Sequence, residues 1–383
     1  MRVRWLAESE FAAARAPWNR LLAAAPVDHV FLTWEWQYTW WDGFRAGREL
    51  RLLLAYDGDE WLGIWPLVRR RLGLGRHWRR LEPLASGERE AEEICTEYLA
   101  PIVRPDRADE VWPAWMATLA AGARGEEPSL AWDDLLLTRC RPGEWLESLR
   151  RYRPKGWIVS PGPEQGCPYV ALPTSFAAYL AMLSANTRQQ IRRLLRELDR
   201  HRWTLEEADD FAAAEAILAD LCRLHQRRWR SRGRPGAFGS ERFRRFPAAA
   251  VPRLLERGWL SLLRLRVDGE TVGCLYNLRY RGAVAFYQCG LDLERFGALR
   301  PGILLHTLAI RQAIERGDRE YDFLGGVSRY KASLAPTSRP LASLRIARRG
   351  LRAALFRAEE RLHQGGRAVL RRLRRGQTTP STS

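Results

Sequence analysis

Residues 260–278 read LSLLRLRVDGETVGCLYNL, which is two apolar runs on either side of Asp268-Gly269. An Asp-Gly pair in this setting is typical of a β-hairpin, because its tight turn needs residues that accept a positive φ. Residues 50–67 read LRLLLAYDGDEWLGIWPL and predict a second hairpin, around Asp57-Gly58. The chain therefore carries the same supersecondary pattern twice.

The segments that follow the two hairpins also occur in the same order. A strand, a helix and an acidic strand are predicted over 97–103, 108–121 and 131–138 in the first half, and over 283–291, 302–316 and 320–324 in the second. Shared order makes duplication a better explanation than coincidence. We therefore predict an α/β (α+β) fold with two domains of similar topology, joined near the Pro- and Gly-rich stretch 154–168.

The composition sets the class of protein. At 383 residues the chain fits two domains, and 46% hydrophobic residues are enough for proper cores, which excludes a disordered protein. With 63 basic and 45 acidic residues the net charge is +18, which predicts an anionic partner.

Half of the basic surplus lies in one C-terminal segment. Residues 345–375 hold 11 Arg and 2 Glu, a net charge of +9. Apolar residues keep helical spacing there, so we predict a basic amphipathic helix and a disordered tail over 347–383. Such a helix either lies on an anionic membrane or is a solubilising tail. The apolar positions are Leu351, Leu355, Ala358, Leu362, Val369 and Leu373.

Several chemistries lack their motifs. Six scattered cysteines form no Cys-x-x-Cys pair, so neither a structural zinc site nor a disulfide framework is expected. His-Glu-x-x-His, a Walker loop, a Gly-x-Ser-x-Gly elbow and a dinucleotide fingerprint are also missing. No metal cofactor is expected. Without an apolar leader or a run of about 18 apolar residues, the protein is predicted to be cytoplasmic.

Two further helices are predicted from periodicity. In 184–198, Ser184 or Asn186 can cap a helix with an apolar stripe and a strongly basic outer face, which is either a solvated surface or a binding face. In 33–41, Trp34, Tyr38 and Trp41 fall on one helical face, which predicts packing in the core rather than stacking on nucleic acid.

A candidate anion site follows the second hairpin. The predicted strand over 286–290 leads into a loop with Gly297, Arg300, Pro301 and Gly302, and then into an apolar helix from Ile303. Free N–H groups and the helix dipole at such a helix start suit a pyrophosphate, and Arg300 can add a charge-assisted bond. The same loop also suits a purely structural connection.

A short strand opens into Gly325-Gly326, and Tyr330-Lys331 follows. Lys331 and Lys155 are the two lysines among 63 basic residues, so Lys331 stands where a compact ammonium is needed. We predict that Lys331 steadies an oxyanion or orients a carboxylate and that Asp322 either accepts a proton or caps a turn. A third cluster, with Arg228 and Trp229 before a Gly-rich loop, suits stacking on a sugar ring, and His225 is kept as a candidate.

Six features follow one another along the chain: the basic helix, Arg228-Trp229, the Asp-Gly hairpin, Arg300-Pro301-Gly302, Asp322-Phe323 and Tyr330-Lys331. In this order they resemble the CelD/BcsL-type GNAT acyltransferases, named for cellulose biosynthesis. The resemblance covers about residues 31–344 and extends to the related FemABX peptidoglycan aminoacyltransferases. It implies two tandem GNAT-like domains, each a mixed, mostly antiparallel sheet flanked by helices. We place their bounds at 1–160 and 161–346.

The resemblance also implies an activity and a site. Acetyl-CoA or another acyl-CoA would donate an acyl group directly to an amine of a sugar or of an exopolysaccharide or cell-envelope precursor. Lys331, aligned with the Lys of the FemABX Phe-Lys motif, would support the transition state, with Asp322 and Tyr330 beside it. Arg228, Trp229 and His225 would line the acceptor side. The donor would contact Gln288, Gly290, Leu291, Arg300, Gly302 and Ile303.

Two alternatives stay open. The pyrophosphate signature of GNAT enzymes is matched only loosely by residues 295–302, and the basic charge suits RNA, so the donor is alternatively an aminoacyl-tRNA, as in FemABX proteins. A third possibility is a non-catalytic scaffold for polysaccharide synthesis, held peripherally at the inner membrane by the C-terminal helix.

Overall fold

The computed structural model describes residues 1–74, 77–326, 328–348, 350, 353–356 and 358–360. Its strands are β1 (Arg2–Leu6), β2 (Arg48–Asp57), β3 (Glu60–Leu72), β4 (Trp78–Pro83), β5 (Ile102–Val103), β6 (Asp134–Cys140), β7 (Trp157–Pro161), β8 (Gln165–Ala171), β9 (Trp203–Glu207), β10 (Leu260–Val267), β11 (Glu270–Tyr280), β12 (Ala283–Leu291), β13 (Glu320–Asp322) and β14 (Thr337–Arg348). Its α-helices are α1 (Glu8–Ala13), α2 (Arg15–Ala24), α3 (Trp34–Phe44), α4 (Ala108–Arg124), α5 (Glu144–Tyr152), α6 (Phe176–Met182), α7 (Ala185–Leu198), α8 (Phe211–Arg230), α9 (Glu241–Glu256), α10 (Leu293–Phe296), α11 (Pro301–Glu315) and α12 (Arg329–Leu334).

The strand pairing repeats between the halves and confirms the predicted fold class. In the first half β1, β2, β3 and β4 pair antiparallel in that order, and β4 then pairs parallel with β6. In the second half β9, β10, β11 and β12 do the same, and β12 pairs parallel with β13. The helices α4 and α11 make the two crossovers that parallel pairing requires. Each half is thus a mixed, mostly antiparallel sheet flanked by helices.

Both predicted hairpins are present, with different turns. Asp268 and Gly269 form the turn of β10–β11, both with positive φ (+51° and +83°). In β2–β3 the ladder ends at Asp57↔Glu60, so the turn residues are Gly58 and Asp59, one position later than predicted.

A glycine after each turn lets the crossover helix approach the sheet. A Cβ on Gly63 would lie 2.9 Å from the Trp115 ring of α4, and one on Gly273 would lie 2.8 Å from Leu305 of α11. Real Cβ atoms essentially never make contacts this short. The glycine that recurs in both copies is therefore a packing requirement.

Two predicted helices are confirmed. The segment 185–198 forms α7, and the Ser184 hydroxyl accepts from the Thr187 N–H at 3.2 Å as its cap. The Trp-rich segment forms α3, whose Trp36 and Trp40 are fully buried. Core packing, rather than nucleic-acid stacking, explains these rings.

The strand predicted over 97–103 is wrong for most of its length, because only Ile102–Val103 are in a strand. The first-half counterpart of β12 is instead β4 (Trp78–Pro83). Residues 93–98 are therefore free of the sheet and form a loop that reaches the second half, as described below.

The last strand joins the two halves. Residues 337–341 of β14 pair with β8, and residues 342–348 pair with β6 and β7 of the first half. The predicted domain bounds at 160/161 and 346/347 stay a prediction. The predicted start of the C-terminal helical segment at 347 is wrong, because residues 347–348 are the end of β14. Helical turns are present at 353–356 and 358–360, and the rest of 347–383, apart from 350, lies outside the described residues.

Candidate functional site

The parallel pairing of β12 with β13 ends well before β12 does. They pair from Ala283↔Glu320 to Ala285↔Asp322, where β13 ends. β12 continues to Leu291 and stays paired with β11 along its other edge. From Phe286 onward, one edge of β12 therefore has no strand paired with it among the described residues. We call this unpaired stretch the opening, because its main-chain N–H and C=O groups can bond a ligand.

A β-bulge lies at the start of this opening. Phe286 pairs with Asn277 and Gln288 with Tyr276, so Tyr287 is the extra residue. Bulges redirect the local backbone and are frequent next to active sites. The Tyr287 hydroxyl donates to the Ile94 carbonyl at 2.8 Å, which ties this point of β12 to the first half.

Lys331, on α12, lies beside the opening. Its Nζ donates to the carbonyls of Phe323 (2.7 Å) and Gly325 (3.1 Å) and lies 5.6 Å from the centre of the Phe286 ring. An ammonium has three N–H donors, so two hold the β13–α12 loop and one is left for a substrate oxygen. Burial lowers the pKa of Lys331, and the nearby Glu97 opposes that shift.

Tyr330 packs against a buried histidine. Its ring stacks on His306 of α11 at 5.7 Å, and the Nδ1 of His306 is hydrogen-bonded to the Tyr321 hydroxyl at 2.9 Å. Burial lowers the pKa of His306 to about 3, so this ring is neutral, and burial raises the pKa of Tyr330. The structure thus brings Tyr330 beside Lys331 as a neutral phenol.

Asp322 is buried, and both of its carboxylate oxygens accept hydrogen bonds. The Tyr98 hydroxyl donates to Oδ2 at 2.6 Å, and the Leu324 N–H donates to Oδ1 at 2.7 Å. The Arg339 guanidinium lies 3.5 Å away. Burial raises the pKa of Asp322, and Arg339 opposes that shift. This geometry favours the turn-capping role for Asp322 over proton transfer.

Glu97 is a carboxylate that the sequence did not identify as part of the site. It is only 4% exposed, and its Oε2 accepts from the Gly325 N–H at 2.7 Å, next to the carbonyl that Lys331 holds. Burial raises the pKa of Glu97 to about 7, and the Asp322 charge adds to that rise. A carboxyl group that titrates near neutral pH is suited to act as a general base.

The backbone around Glu97 is strained. Cys95, Tyr98 and Leu324 all have left-handed conformations, with φ of +57°, +55° and +56°, which residues with a Cβ rarely adopt. Tyr98 and Leu324 both donate to Asp322, one from its hydroxyl and one from its N–H. Strain of this kind persists where the surroundings enforce it, and it is concentrated at functional sites.

An acidic cavity lies on the Glu97 side of the junction between the halves. It has a volume of about 510 Å³, and four glutamates and one arginine line it together with Gln165: Glu82, Glu88, Glu93, Glu164 and Arg139. Burial raises the pKa of Glu88 to about 7. A Cβ on Gly325 would lie 2.6 Å from Gln165 Nε2 and also against Glu97, so the cavity wall reaches the candidate base.

The predicted donor residues lie along β12 and at the start of α11. The Cys289 N–H donates to the side chain of Gln288 at 3.3 Å, and Gly290 packs against the backbone of Leu221. Arg300 is exposed and has a left-handed φ of +46° as the cap of α11. Its carbonyl accepts the N–H groups of Ile303 (2.9 Å) and Leu304 (3.2 Å).

The first turn of α11 therefore already uses two of its N–H groups, and Pro301 has none. Gly302 lies between Pro301 and Ile303, and a Cβ at this position would be 3.3 Å from the Leu291 side chain. A pyrophosphate at this helix start would rely chiefly on the Gly302 N–H and on the Arg300 side chain.

The structure separates the three predicted acceptor residues. Burial raises the pKa of Cys289 and of Tyr330, and the nearby Arg228 charge opposes both shifts, so Arg228 borders the site. His225 is buried, and its Nε2 accepts from the Trp229 indole N–H at 2.9 Å. Burial lowers the pKa of His225. His225 and Trp229 thus satisfy each other, which favours the structural role for His225.

In the described ranges, no three His, Cys, Asp or Glu side chains form a cluster that could hold a metal ion. Within the same part of the chain, no helix is long and apolar enough to cross a membrane.

Comparisons with known proteins support the fold and the class of enzyme. Residues 185–332 match the model of the acetyltransferase (GNAT) domain. No curated protein matches the chain. The crystal structure of FemX is similar at 11% sequence identity, with a TM-score of 0.60, and the match covers 90% of this chain and 97% of that one.

Two more solved structures match over most of their length. The C-terminal domain of a putative lysylphosphatidylglycerol synthetase from Agrobacterium fabrum is 11% identical, with a TM-score of 0.52 and coverage of 92% and 96%. A conserved protein of unknown function from Bacteroides thetaiotaomicron is 10% identical, with a TM-score of 0.53 and coverage of 87% and 97%. At such identity these structures show the fold alone. With the domain match, we conclude that the chain is an acyltransferase that carries a GNAT acetyltransferase domain in its second half.

Proposed function

We propose that the protein is an acyl-CoA-dependent N-acyltransferase that acts on an amine of a sugar or of an exopolysaccharide or cell-envelope precursor. The observation that carries the proposal is the opening between β12 and β13, with Glu97 and Lys331 at its end. A thioester donor supplies an activated acyl carbonyl. The unpaired edge of β12 offers the main-chain groups that an extended donor needs.

The proposed reaction is direct transfer within a ternary complex. The acceptor nitrogen bonds to the acyl carbon, the C–S bond breaks, and the thiolate leaves. Glu97 takes the proton from the attacking amine, because its carboxyl titrates at about 7. The third N–H of Lys331, which bonds no residue in the described part of the chain, stabilises the oxygen that becomes negative. The acidic cavity beside Glu97 favours entry of a cationic amine.

Binding and product formation test the proposal separately. Acetyl-CoA should raise the melting temperature by a few degrees, since a ligand at 100 times its Kd stabilises by about 2.7 kcal/mol. Sodium acetate at the same ionic strength is the control. Mass spectrometry of amino sugars incubated with acetyl-CoA and longer thioesters should then show an acylated amine. A protein that neither binds CoA nor acylates any amine would exclude this donor.

Lys331→Ala should lower the turnover number about 10- to 100-fold, because it removes one charge-assisted hydrogen bond in the transition state. Lys331→Arg should not restore it, since a planar fork cannot reproduce a compact ammonium bonded to two carbonyls. Steady-state kinetics with a confirmed acceptor checks this. Because the same hydrogen bonds hold the β13–α12 loop, the urea midpoint of unfolding must be measured for each variant. Wild-type turnover in Lys331→Ala would contradict the proposed role of Lys331 in the transition state.

A second candidate donor is an aminoacyl-tRNA, which the resemblance to FemABX proteins implies. Two observations favour it. The outer face of α7 exposes Arg192, Arg193 and Arg196, and the first turn of α11 already uses the N–H groups of Ile303 and Leu304. Two results together would support this donor over the first: binding of aminoacyl-tRNA that weakens steeply as the salt concentration rises, and no change of melting temperature on addition of CoA.

A further inference from the structure

A second cavity lies between the halves, on the Tyr98 side of the Glu97–Tyr98 loop. Its volume is about 390 Å³, which is within the range of small-ligand sites. Asp28, His29 and Arg141 line it from the first half, and Arg281, Arg319 and Arg339 line it from the second. The site is complete only when both halves are in place.

The lining carries an excess of positive charge. Arg281 pairs with Asp28 at 2.9 Å, and Arg339 pairs with Glu320 at 2.5 Å. Arg319 donates to the Arg281 carbonyl at 2.9 Å, and neither Arg319 nor Arg141 forms an ion pair with a carboxylate among the residues that the structure describes. Two guanidinium charges therefore remain at the cavity without a paired carboxylate.

His29 adds a half-buried neutral donor. Its Nδ1 accepts from the Phe31 N–H at 3.3 Å. Burial lowers the pKa of His29 to about 3, and the nearby charges of Arg141 and Arg339 add to the shift. A neutral ring whose Nδ1 accepts carries its proton on Nε2, so this atom is a donor. Guanidinium forks with a fixed N–H donor match the oxygens of a phosphate.

The cavity shares a wall with the acyl-transfer site. The His29 ring lies 4.7 Å from the Tyr98 ring, and the Tyr98 hydroxyl donates to Asp322. Arg339 lies over the same Tyr98 ring at 5.6 Å and reaches Asp322 at 3.5 Å. Tyr98 and Arg339 therefore lie between a group bound in the cavity and Asp322, which caps the β13–α12 loop.

We infer that this cavity binds the phosphate or diphosphate group of a soluble phosphorylated molecule. That this molecule is the acceptor of the acyl group rests on the proposed function. Binding itself does not, because the two uncompensated guanidinium groups and the His29 donor are present whatever reaction follows.

Isothermal titration calorimetry of the full chain tests the inference, with inorganic pyrophosphate and a nucleoside diphosphate as probes at fixed ionic strength. The double variant Arg141→Ala/Arg319→Ala should weaken binding about tenfold or more, since it removes two charge-assisted contacts. Both side chains are exposed at the cavity mouth, so the fold should persist, and the urea midpoint verifies that. Arg2→Ala is the matched control, an exposed arginine of β1 outside the cavity, and should bind normally.

The outcomes separate the inference from the proposed function. Absence of binding, or equal loss in Arg2→Ala, would overturn the phosphate site. Binding to vesicles that contain phosphatidylglycerol, but to neither soluble probe, would assign the cavity to a lipid headgroup and also overturn it. If the probes bind through Arg141 and Arg319 but no amine is acylated, the site stands and the proposed function fails. If acylation occurs, the double variant should raise KM for a phosphorylated acceptor and leave kcat unchanged.

Discussion

Replacing Glu97 by Gln is expected to lower the turnover number of acyl transfer about 100- to 10,000-fold, the usual contribution of a positioned general base. An amide has nearly the same shape as a carboxyl group and can still accept from the Gly325 N–H, so the loop should keep its geometry. It cannot take a proton from an amine. Pre-steady-state and steady-state kinetics with a confirmed acceptor would measure the loss.

The pH profile gives this prediction a distinctive sign. The proposed base works only when ionised, and the pKa of Glu97 is raised to about 7. The kcat/KM of the wild type should therefore rise with pH through about 7, rather than reach its plateau near pH 5 as with an ordinary glutamate. Glu97→Gln should lose this rise. A wild-type profile that is flat between pH 5 and 8 would contradict the role.

Glu88 offers a matched comparison, because burial also raises its pKa to about 7 and it lines the acidic cavity. Its carboxylate accepts from the Trp40 indole N–H, in the first half, and no contact joins it to Gly325 or Lys331 in the described ranges. Glu88→Gln should therefore raise KM for the amine while kcat stays within about twofold. An equal loss of kcat in both variants would mean that neither carboxylate is specifically the base.

Unfolding checks the raised pKa of Glu97 without any substrate. Between the unfolded value of 4.5 and about 7, the folded state holds a proton that the unfolded state has lost. Stability should therefore fall as pH rises through this window, by on the order of 3 kcal/mol from Glu97. Urea unfolding at pH 5 and pH 8 should show a smaller decline in Glu97→Gln than in the wild type.

Local sequence patterns predicted the second half of the fold better than the site. Apolar alternation around Asp268-Gly269 and the helical periodicity before Arg316 depend on neighbours in sequence, and both elements are present. Lys331 was found because lysine is rare in this chain, and it does lie beside the opening of β12. Such signals need no knowledge of distant contacts.

Glu97 could not be found in this way. Its hydrogen bond to Gly325 spans 228 residues, and the bond from Tyr98 to Asp322 spans 224. Residues 97–103 are predicted from their sequence to form a strand, and this prediction misses the loop that makes these contacts. A short apolar run does not show whether it pairs in a sheet, or with which strand. The exchange of β14 between the two halves is equally non-local.

Gly290→Ala is expected to destabilise the protein by about 3 kcal/mol or more, the upper range for overpacking a core. An added Cβ would lie 2.9 Å from the Leu221 Cα and closer still to the Leu221 carbonyl oxygen. These are backbone atoms of α8, which cannot rotate away as a side chain would. Either α8 or β12 must move, and both border the site. Urea unfolding would measure the loss.

Gly297→Ala is the matched control, on the loop that links the same strand to α11. Its φ is −56°, and its added Cβ would meet nothing within 4 Å, so stability should stay within about 0.5 kcal/mol of the wild type. The pair also separates packing from donor binding. If Gly290→Ala keeps wild-type stability and loses only affinity for CoA, the glycine serves the donor directly and the close approach of α8 is not what requires it. If both variants unfold at a lower urea concentration than the wild type, added volume in this region destabilises the protein generally, and the contact of Gly290 with α8 is not the specific cause.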